Sequence, residues 1–251
     1  MSTFYLSCKP ISRTTRFTVT QRCTYISGIP LADSLKGEPC KHDRTDVEYA
    51  EVLLPKTAPE RLYDLQTLAN EIECAEKRKD ARTAREIIAS LPNELSIDDN
   101  IQIVRKFIRE NILNYDLGAI AAIHEGKNEQ DPMMDNPHVH IIVTTRPIVP
   151  DGFFCRKNRE CDRVEYLIQC RESMARIQNE GYERNGLQLR VDHRSFRAQG
   201  IEREPKHRLR YNDYMREKAG ERTRAGDYNR EVEERNANRV QTRMPEQELS
   251  R

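Results

Sequence analysis

NPHVHIIVTTRPI, which spans residues 136–148, is the segment that best predicts the central structure of this chain. It places His138 and His140 two residues apart, behind a proline and ahead of an uncharged run that is rich in β-branched side chains. Such side chains favour strands, and alternate residues of a strand point to the same face of a sheet. We therefore expect a strand that presents both imidazoles on one face, a pattern typical of a metal site.

A second apolar run, LGAIAAIHEG at 117–126, contains a third histidine, His124. The polar segment GKNEQDPMMDNP separates the two runs and is typical of the loop of a β-hairpin. If the runs pair antiparallel, His124 at the end of one strand meets His138 and His140 at the start of the next. Three histidine ligands would then share one face, which leaves positions open on a divalent cation.

Apolar spacing and turn signals predict the remaining elements. Expected strands lie at 3–10, 49–55 and 85–91, and expected helices lie at 13–28, 58–81, 97–113 and 159–186. A loop surrounds the short strand over 31–56, and LQLRVDHRSF at 187–196 is a strand-like segment. Together these elements predict an α+β fold, in which a central, mainly antiparallel sheet carries the histidines and is flanked by helices on one face.

Composition favours one domain with a charged tail. Of the 251 residues, 37% are hydrophobic and 33% charged, and no apolar run is long enough to span a membrane. The 42 basic and 41 acidic residues nearly cancel, so net charge alone does not identify a nucleic-acid binder. The seven cysteines contain no C-x-x-C pair and the N-terminus has no signal-peptide core, which predicts a reduced, cytoplasmic protein. We predict a domain over 1–205 and a tail over 206–251 that is disordered or forms one solvated helix.

Several segments, in chain order, resemble motifs of the MobA/MobL-type plasmid mobilisation relaxases, which are HUH endonucleases. The segments are FYLSCKPISR, TYISG, AREIIASLPNEL, AIHEG, NPHVHIIVTTR and VDHRSFRAQGIEREP, and the last two are the most specific. The resemblance implies the HUH nuclease fold, in which two histidines flank a hydrophobic residue on the sheet. It also implies an enzyme that nicks one strand of a plasmid origin of transfer with a tyrosine and stays attached to the 5′ end.

The same resemblance makes Tyr25 the nucleophile and assigns Mg²⁺ or Mn²⁺ to His124, His138 and His140. A tyrosine hydroxyl has a pKa of about 10, so at neutral pH it needs a nearby base or cation in order to react. A cation held by three neutral imidazoles keeps positions for phosphate oxygens and polarises a phosphodiester. Tyr115, which precedes the strand of His124, is the main rival for the role of nucleophile.

Acidic and basic residues outside the histidine triad complete the predicted site. Glu86 and Glu94 stand where the family keeps acidic residues, and either one is suited to orient an imidazole or to accept the tyrosine proton. The predicted DNA contacts are Arg146, Asp192, His193 and Arg194. For each of these four, a structural role that ties its segment to the sheet is an equally good interpretation.

The expected partners are single-stranded DNA at an origin of transfer, accessory mobilisation proteins and a type IV secretion coupling protein, with no membrane insertion. The sequence contains no Walker-type phosphate loop, so a partner would have to unwind the duplex. Two alternatives stay open. One is an HUH replication initiator, which the DHRS-x-x-x-QGI segment disfavours, and the other is an inactive DNA-binding accessory protein, which the intact tyrosine and histidines disfavour.

Overall fold

The structure is a computed structural model whose described residues are 4–15, 17–37, 39–40, 44–127, 135–153 and 155–241. The chain divides into two compact units, Met1–His193 and Arg194–Arg251. The first unit contains the sheet and the three histidines. The predicted boundary at 205/206 lies after the last family motif, whereas the compact units divide after His193. As a functional boundary, 205/206 stays a prediction.

A five-stranded, fully antiparallel sheet forms the centre of the first unit, in the order β1-β5-β7-β6-β4. Its strands, together with the separate pair β2-β3, are β1 (Leu6–Ser12), β2 (Leu31–Ala32), β3 (Pro39–Cys40), β4 (Val47–Leu53), β5 (Arg82–Ser90), β6 (Ala119–His124) and β7 (His138–Thr144). The predicted α+β class and the antiparallel pairing of β6 with β7 are confirmed. Residues 128–134 of the predicted hairpin loop lie outside the described residues.

Helices cover both faces of the sheet, so the prediction of helices on one face is wrong. The helices are α1 (Val19–Ser27), α2 (Leu65–Cys74), α3 (Ile97–Asn111), α4 (Val164–Arg184), α5 (Tyr211–Lys218) and α6 (Arg224–Gln241). In the first unit, α1 and α2 pack on the face that carries the histidines, and α3 and α4 pack on the opposite face. The physical reason is that every residue of β6 is buried, so both faces of the central strands need an apolar cover.

Strand alternation sorts the apolar side chains into two cores. The histidine face is the sheet face that carries His124, His138 and His140. Its core joins the sheet to α1 and α2 through Ile120, Ile142, Cys23, Ile26 and Leu68. The core of the opposite face joins the sheet to α3 and α4 through Ile87, Ile141, Phe107, Ile108 and Met174. Burial of each large side chain stabilises the fold by about 1.5–3 kcal/mol, so the two cores together hold the sheet and its histidines in place.

Helix α1 is fixed at both ends by specific contacts. Thr18 is its N-cap and forms a capping box with Gln21, and the backbone N–H of Val19 donates to the buried carboxylate of Glu73 on α2 at 2.9 Å. Gly28 ends the helix with a φ of 69°, a left-handed conformation that glycine adopts without steric cost. The nine residues of α1 therefore have a defined start, end and orientation against α2.

Two of the predicted elements differ markedly from the structure. The helix predicted at 58–81 is broken at Asp64, whose backbone is extended and whose side chain caps α2 by accepting a backbone N–H at 2.8 Å. Residues 187–196 are all described and contain no strand. The backbone N–H and carbonyl of Val191 bond instead to the side chain of Asn179 on α4, at 2.8 and 2.9 Å. A single side chain thus satisfies the backbone groups that a neighbouring strand would have taken.

The predicted tail contains two helices, α5 and α6, where the sequence predicts disorder or a single solvated helix. Ion pairs on exposed side chains link segments of the second unit: Arg230 donates to Glu217 at 2.7 Å, and Arg239 donates to Glu204 at 2.7 Å. Residues 242–251 lie outside the described residues. Across the described parts of both units, no helix combines the length and the apolar character that crossing a bilayer requires.

Candidate active site

Strand pairing brings the three histidines together at one end of the histidine face. In the register of β6 and β7, His124 lies opposite His138, and Ala122 lies opposite His140. The ring centroids are 5.2 Å apart for His124 and His138, 4.8 Å for His124 and His140, and 5.2 Å for His138 and His140. One nitrogen of each ring lies within 4.8 Å of the other two, which is close enough for one cation to contact all three.

His124 is fully buried, and its ring is oriented by helix α1. Its Nε2 lies 2.7 Å from the backbone carbonyl oxygen of Ile26. Because a carbonyl only accepts, Nε2 carries the proton and Nδ1 keeps the lone pair. The Nδ1 atom is buried and has no hydrogen-bond partner among the described residues. A buried lone pair without a partner is costly, and this position therefore suits a metal ligand.

The two histidines of β7 are oriented in the same way by acceptors outside the triad. Nδ1 of His138 lies 2.8 Å from the carbonyl oxygen of Asn136, and Nδ1 of His140 lies 2.8 Å from a carboxylate oxygen of Glu86. In the neutral form of each ring, Nδ1 therefore holds the proton and Nε2 keeps the lone pair. Acceptors of this kind fix the orientation of a metal-binding ring and raise the basicity of the ligand nitrogen.

Burial favours the neutral form of two of the imidazoles, those of His124 and His138. It lowers the pKa of His124 to about 4, against the opposing effect of the carbonyl of Ile26. Burial also lowers the pKa of His138, and the charge of Arg44 acts in the same direction on both rings. At neutral pH these two rings are therefore uncharged, and no proton has to leave before a cation binds.

A buried ion pair connects His140 to helix α1. Arg22 donates to both oxygens of Glu86 at 2.7–3.1 Å, and the same carboxylate accepts from His140. Burial acts to raise the pKa of Glu86, but the hydrogen bonds from His140 and Arg22 hold it below its ordinary value. Glu86 is therefore an ionised acceptor with both oxygens engaged, an arrangement that suits the orientation of His140 better than the acceptance of a further proton.

Tyr25 lies beside this cluster on α1, half-buried and next to two guanidinium groups. Its ring centroid is 6.4 Å from that of His140, and the two rings meet edge to face. The guanidinium carbons of Arg22 and Arg44 lie 4.7 and 4.5 Å from the centroid of the tyrosine ring. Asp46 holds Arg44 in place through two hydrogen bonds of 2.8 and 2.7 Å. The arrangement places positive charge next to the tyrosine, where it would stabilise an approaching phosphate.

Arg22 and Arg44 belong to this site although no sequence motif contains them. Arg22 stands three residues before Tyr25, and on a helix this spacing places two side chains on the same face. The spacing was therefore a usable signal for Arg22. Arg44 lies in the segment predicted as a loop and reaches Tyr25 only through tertiary structure, so no local pattern marks it.

Two other candidates make their described contacts elsewhere. The ring of Tyr115 packs against Tyr166 at a centroid distance of 5.9 Å, at the core of the opposite face. The carboxylate of Glu94 accepts from the hydroxyl of Tyr182 on α4 at 3.2 Å. Among the described contacts, those of Tyr25 lead to the histidines, whereas those of Tyr115 and Glu94 lead to α4.

The predicted DNA contacts lie in different parts of the chain. Arg146 follows β7 at the end away from the histidines, where it donates to Glu76 at 2.8 Å. Asp192 and His193 are adjacent, with their Oδ1 and Nδ1 atoms 3.9 Å apart, and Arg194 begins the second unit. The role of these four residues in binding DNA stays a prediction.

Comparison with known proteins gives a family match over most of the chain. The model of the MobA/MobL family matches residues 18–218. The chain is 32% identical over 169 residues to the probable mobilization protein MobA of Bifidobacterium longum. The aligned region covers 67% of this chain and 29% of that protein. The chain is also 29% identical over 239 residues to the mobilization protein MobL of Acidithiobacillus ferridurans, covering 83% of this chain and 62% of that one. The chain thus spans less than two thirds of the length of these relatives.

Solved structures share the fold. One, described as the molecular basis of vancomycin resistance transfer in Staphylococcus aureus, aligns with a TM-score of 0.70 and 26% identity, over 77% of this chain and all of that chain. The conjugative relaxase TrwC, solved with origin-of-transfer DNA in a metal-bound form, aligns with a TM-score of 0.52 and 12% identity, over 92% of this chain and 98% of that one. At this identity the likeness to TrwC concerns the fold alone.

Proposed function

Because the chain belongs to the MobA/MobL family, we propose that it is a metal-dependent relaxase that nicks one DNA strand at a plasmid origin of transfer through Tyr25. The observation that carries the proposal is the continuous set of contacts from the tyrosine helix to the histidines. Arg22 on that helix lies beside Tyr25 and binds Glu86, and Glu86 orients His140. Nucleophile and metal ligands are thereby held as one unit, as in-line attack on a phosphorus atom requires.

His124, His138 and His140 would hold the cation, and the orphaned Nδ1 of His124 fits that role. A bound divalent cation would polarise a non-bridging oxygen of the scissile phosphate. Mg²⁺ prefers oxygen ligands, so three nitrogen donors suit a transition-metal ion better than Mg²⁺.

The reaction is a transesterification in which the number of phosphodiester bonds is conserved. The hydroxyl oxygen of Tyr25 forms a bond to phosphorus, and the bond from phosphorus to the 3′ oxygen breaks. The tyrosine proton is lost and the 3′ oxygen leaves as a hydroxyl, so the 5′ end stays on Tyr25 as a phosphotyrosyl ester. Arg22 and Arg44 stabilise the charge of the attacking oxygen and of the phosphate, and Glu86 keeps His140 in its binding orientation. Because the ester retains the bond, the 3′ hydroxyl is able to rejoin it.

The descriptions of the relatives support a role in DNA transfer. Matches are described as mobilization proteins and as the conjugal transfer protein TraA of Agrobacterium fabrum, and TrwC is described as bound to origin-of-transfer DNA. We extend this to single-stranded DNA at an origin of transfer as the substrate. Accessory mobilisation proteins and a type IV secretion coupling protein are the proposed partners, and the cytoplasm is the proposed compartment.

The test is formation of a covalent adduct. The purified protein is incubated with Mn²⁺ and 3′-labelled single-stranded oligonucleotides tiled across the origin of the cognate plasmid, and products are separated on a denaturing gel. Wild type should give a protein-linked labelled fragment that disappears with EDTA and in Tyr25→Phe. Tyr115→Phe is the matched control, because it removes the same hydroxyl from a tyrosine in the opposite core, and it should retain the adduct.

Two results would contradict the proposal. An adduct that survives in Tyr25→Phe and disappears in Tyr115→Phe would move the nucleophile to the rival tyrosine. Tight DNA binding without any adduct, across all origin oligonucleotides and with either Mg²⁺ or Mn²⁺, would favour an accessory protein without nicking activity.

A further inference from the structure

A basic cavity lies at the end of the sheet away from the histidines. It has a volume of about 530 Å³. The acidic residues among its lining are Glu76 and Asp80, and its cationic residues are Arg78, Arg82, Arg146, Arg156, Lys157 and Arg159. We call this cavity the arginine pocket. It belongs entirely to the first unit and shares no residue with the histidine site.

The acidic residues of the arginine pocket are already engaged. Glu76, which is nearly buried, accepts from Arg146 at 2.8 Å and pairs with Lys157 at 3.0 Å, so one carboxylate faces two cations. Asp80 pairs with Arg78 at 3.0 Å, on the exposed surface. These pairs fix part of the wall without cancelling its excess of positive charge.

Two arginines of the pocket have unused donors. Among the residues that the structure describes, neither the guanidinium of Arg82 nor that of Arg156 has a hydrogen-bond or ion-pair partner, and both side chains are exposed. The backbone at Arg82 is held, because it begins β5 and its carbonyl accepts from Lys157 at 2.6 Å. Two planar forks of N–H donors therefore stand at the rim of a concave, positively charged surface.

The chemistry of this surface fits phosphodiester groups. A guanidinium binds phosphate oxygens with two parallel hydrogen bonds. Ala81 is the one apolar residue among the described lining, so a nucleobase would find no aromatic side chain to stack on. Several cations spaced around one cavity match a polymer of phosphates, whose binding gains from the release of counterions at each contact.

The position of the pocket relates it to the proposed nick site. β7 runs from His138 to Thr144, and Arg146 follows two residues later. With a rise of about 3.4 Å per residue, Thr144 lies about 14 Å from His140. A strand with the stacked spacing of a duplex advances by about 3.4 Å per nucleotide and covers this distance in about four nucleotides, and a more extended single strand covers it in fewer.

We propose that the arginine pocket is a second DNA site, which binds the sugar-phosphate backbone several nucleotides away from the scissile phosphate through Arg82 and Arg156. The inference rests on the proposed DNA-binding function. It adds a site that positions the DNA strand without recognising its bases, since phosphate contacts fix register and carry no sequence information.

The test compares Arg82→Ala/Arg156→Ala with wild type in fluorescence-anisotropy titrations of a labelled single-stranded oligonucleotide of about 30 nucleotides, over a series of salt concentrations. Loss of two phosphate contacts should make the slope of log K against log salt less steep by about 1.4, and should weaken binding by about tenfold or more at low salt. Arg109→Ala/Arg184→Ala is the matched control. It removes the same charge from α3 and α4 on the opposite face, and it should bind as wild type does.

Nicking separates this inference from the proposed function. Adduct formation on an oligonucleotide of about four nucleotides, with two on each side of the nick and too short to reach the pocket, should be unchanged in Arg82→Ala/Arg156→Ala. Wild-type protein that binds no DNA would overturn both proposals. If this variant unfolded normally, bound DNA as wild type does and kept the salt slope of wild type, the proposal that the pocket binds DNA would be wrong. The pocket would then fit an acidic protein segment instead. Inorganic phosphate that displaces the long oligonucleotide at constant ionic strength would make it a site for the free anion and would also overturn the inference.

Discussion

Glu86 shows how much of the site depends on one buried carboxylate. It accepts a hydrogen bond from His140 and a bidentate pair from Arg22, and the guanidinium of Arg22 also lies against the ring of Tyr25. Removing its charge would leave Arg22 without its partner at a largely buried position, a costly change in a low-dielectric environment. Glu86 therefore contacts both the ring of His140 and the helix that carries Tyr25.

Glu86→Gln should weaken binding of Mn²⁺ by about 10–100-fold, the usual effect of removing the acceptor behind a metal-binding histidine. The reason is that an amide binds Nδ1–H more weakly than a carboxylate does and does not fix the ring as firmly. Isothermal titration calorimetry with Mn²⁺ measures the change. Glu94→Gln, which alters the carboxylate bonded to Tyr182, is the control and should bind Mn²⁺ as wild type does. Equal affinities for all three proteins would exclude Glu86 as the orienting residue.

The buried, neutral state of His124 has a consequence for stability in acid. Its pKa is lowered from 6.5 to about 4, so below pH 6.5 the unfolded chain takes up a proton that the folded chain does not. The free energy of unfolding of the metal-free protein should therefore be unaffected by this group above pH 6.5 and should fall as the pH drops toward 4, by about 3 kcal/mol in total. Urea unfolding at a series of pH values measures the loss.

His124→Gln should have a flatter stability profile between pH 6.5 and 5, where most carboxylates are still ionised. His207→Gln, at an exposed position of the second unit, is the control and should keep the slope of wild type. If His124→Gln lost stability as steeply as wild type over this range, the acid sensitivity would have to come from another group.

At the scale of elements, the N-cap of α1 is predicted to matter for nicking and not only for stability. Thr18→Ala removes the capping box and the bond from Thr18 to the buried carboxylate of Asp33 at 2.5 Å, which should cost about 1–2 kcal/mol. Because α1 carries Tyr25, a frayed first turn should also lower the rate of adduct formation under conditions where the protein is fully folded.

Ser96→Ala is the matched control for this prediction. It removes the N-cap of α3, which packs on the opposite face, and should cost about 1 kcal/mol with no change in the rate of adduct formation. Thermal unfolding and single-turnover adduct assays separate the two effects. Equal rates for the two variants would mean that the position of Tyr25 does not depend on the start of its helix.

The β6–β7 hairpin was predictable because the sequence features that determine it lie within one continuous segment of the chain. Alternation on β7, a loop of suitable composition and His124 at the end of the preceding run are sufficient to place three imidazoles on one face. The cover on both faces was not predicted, since an all-buried strand such as β6 has no polar face to reveal which side is covered. Arg44 illustrates the same limit for the site: its contact with Tyr25 joins residues that are distant in sequence and is set by packing alone.

For the whole first unit, binding of a cation should couple to folding, because the three ligands come from two strands in the middle of the sheet. A concentration of Mn²⁺ at about 100 times Kd should stabilise the native state by about 2.7 kcal/mol, which corresponds to a rise in Tm of about 5–10 °C for a domain of this size. Differential scanning calorimetry with and without EDTA measures the shift. His140→Ala should have the same Tm with Mn²⁺ as with EDTA. If Mn²⁺ raised the Tm of that variant as much as that of wild type, the stabilising ion would bind at another site.

The hydrogen bond from His124 to the carbonyl of Ile26 gives the site an unusual tolerance. A backbone acceptor is supplied by any amino acid, so position 26 is open to substitution without disturbing the imidazole, as long as the new side chain fits the core. Insertion is another matter, because a residue added between Tyr25 and Ile26 rotates one relative to the other by about 100° and turns either the tyrosine or the carbonyl away. Descent within this family should therefore preserve the length of the last turn of α1 more strictly than the identity of the residues in it.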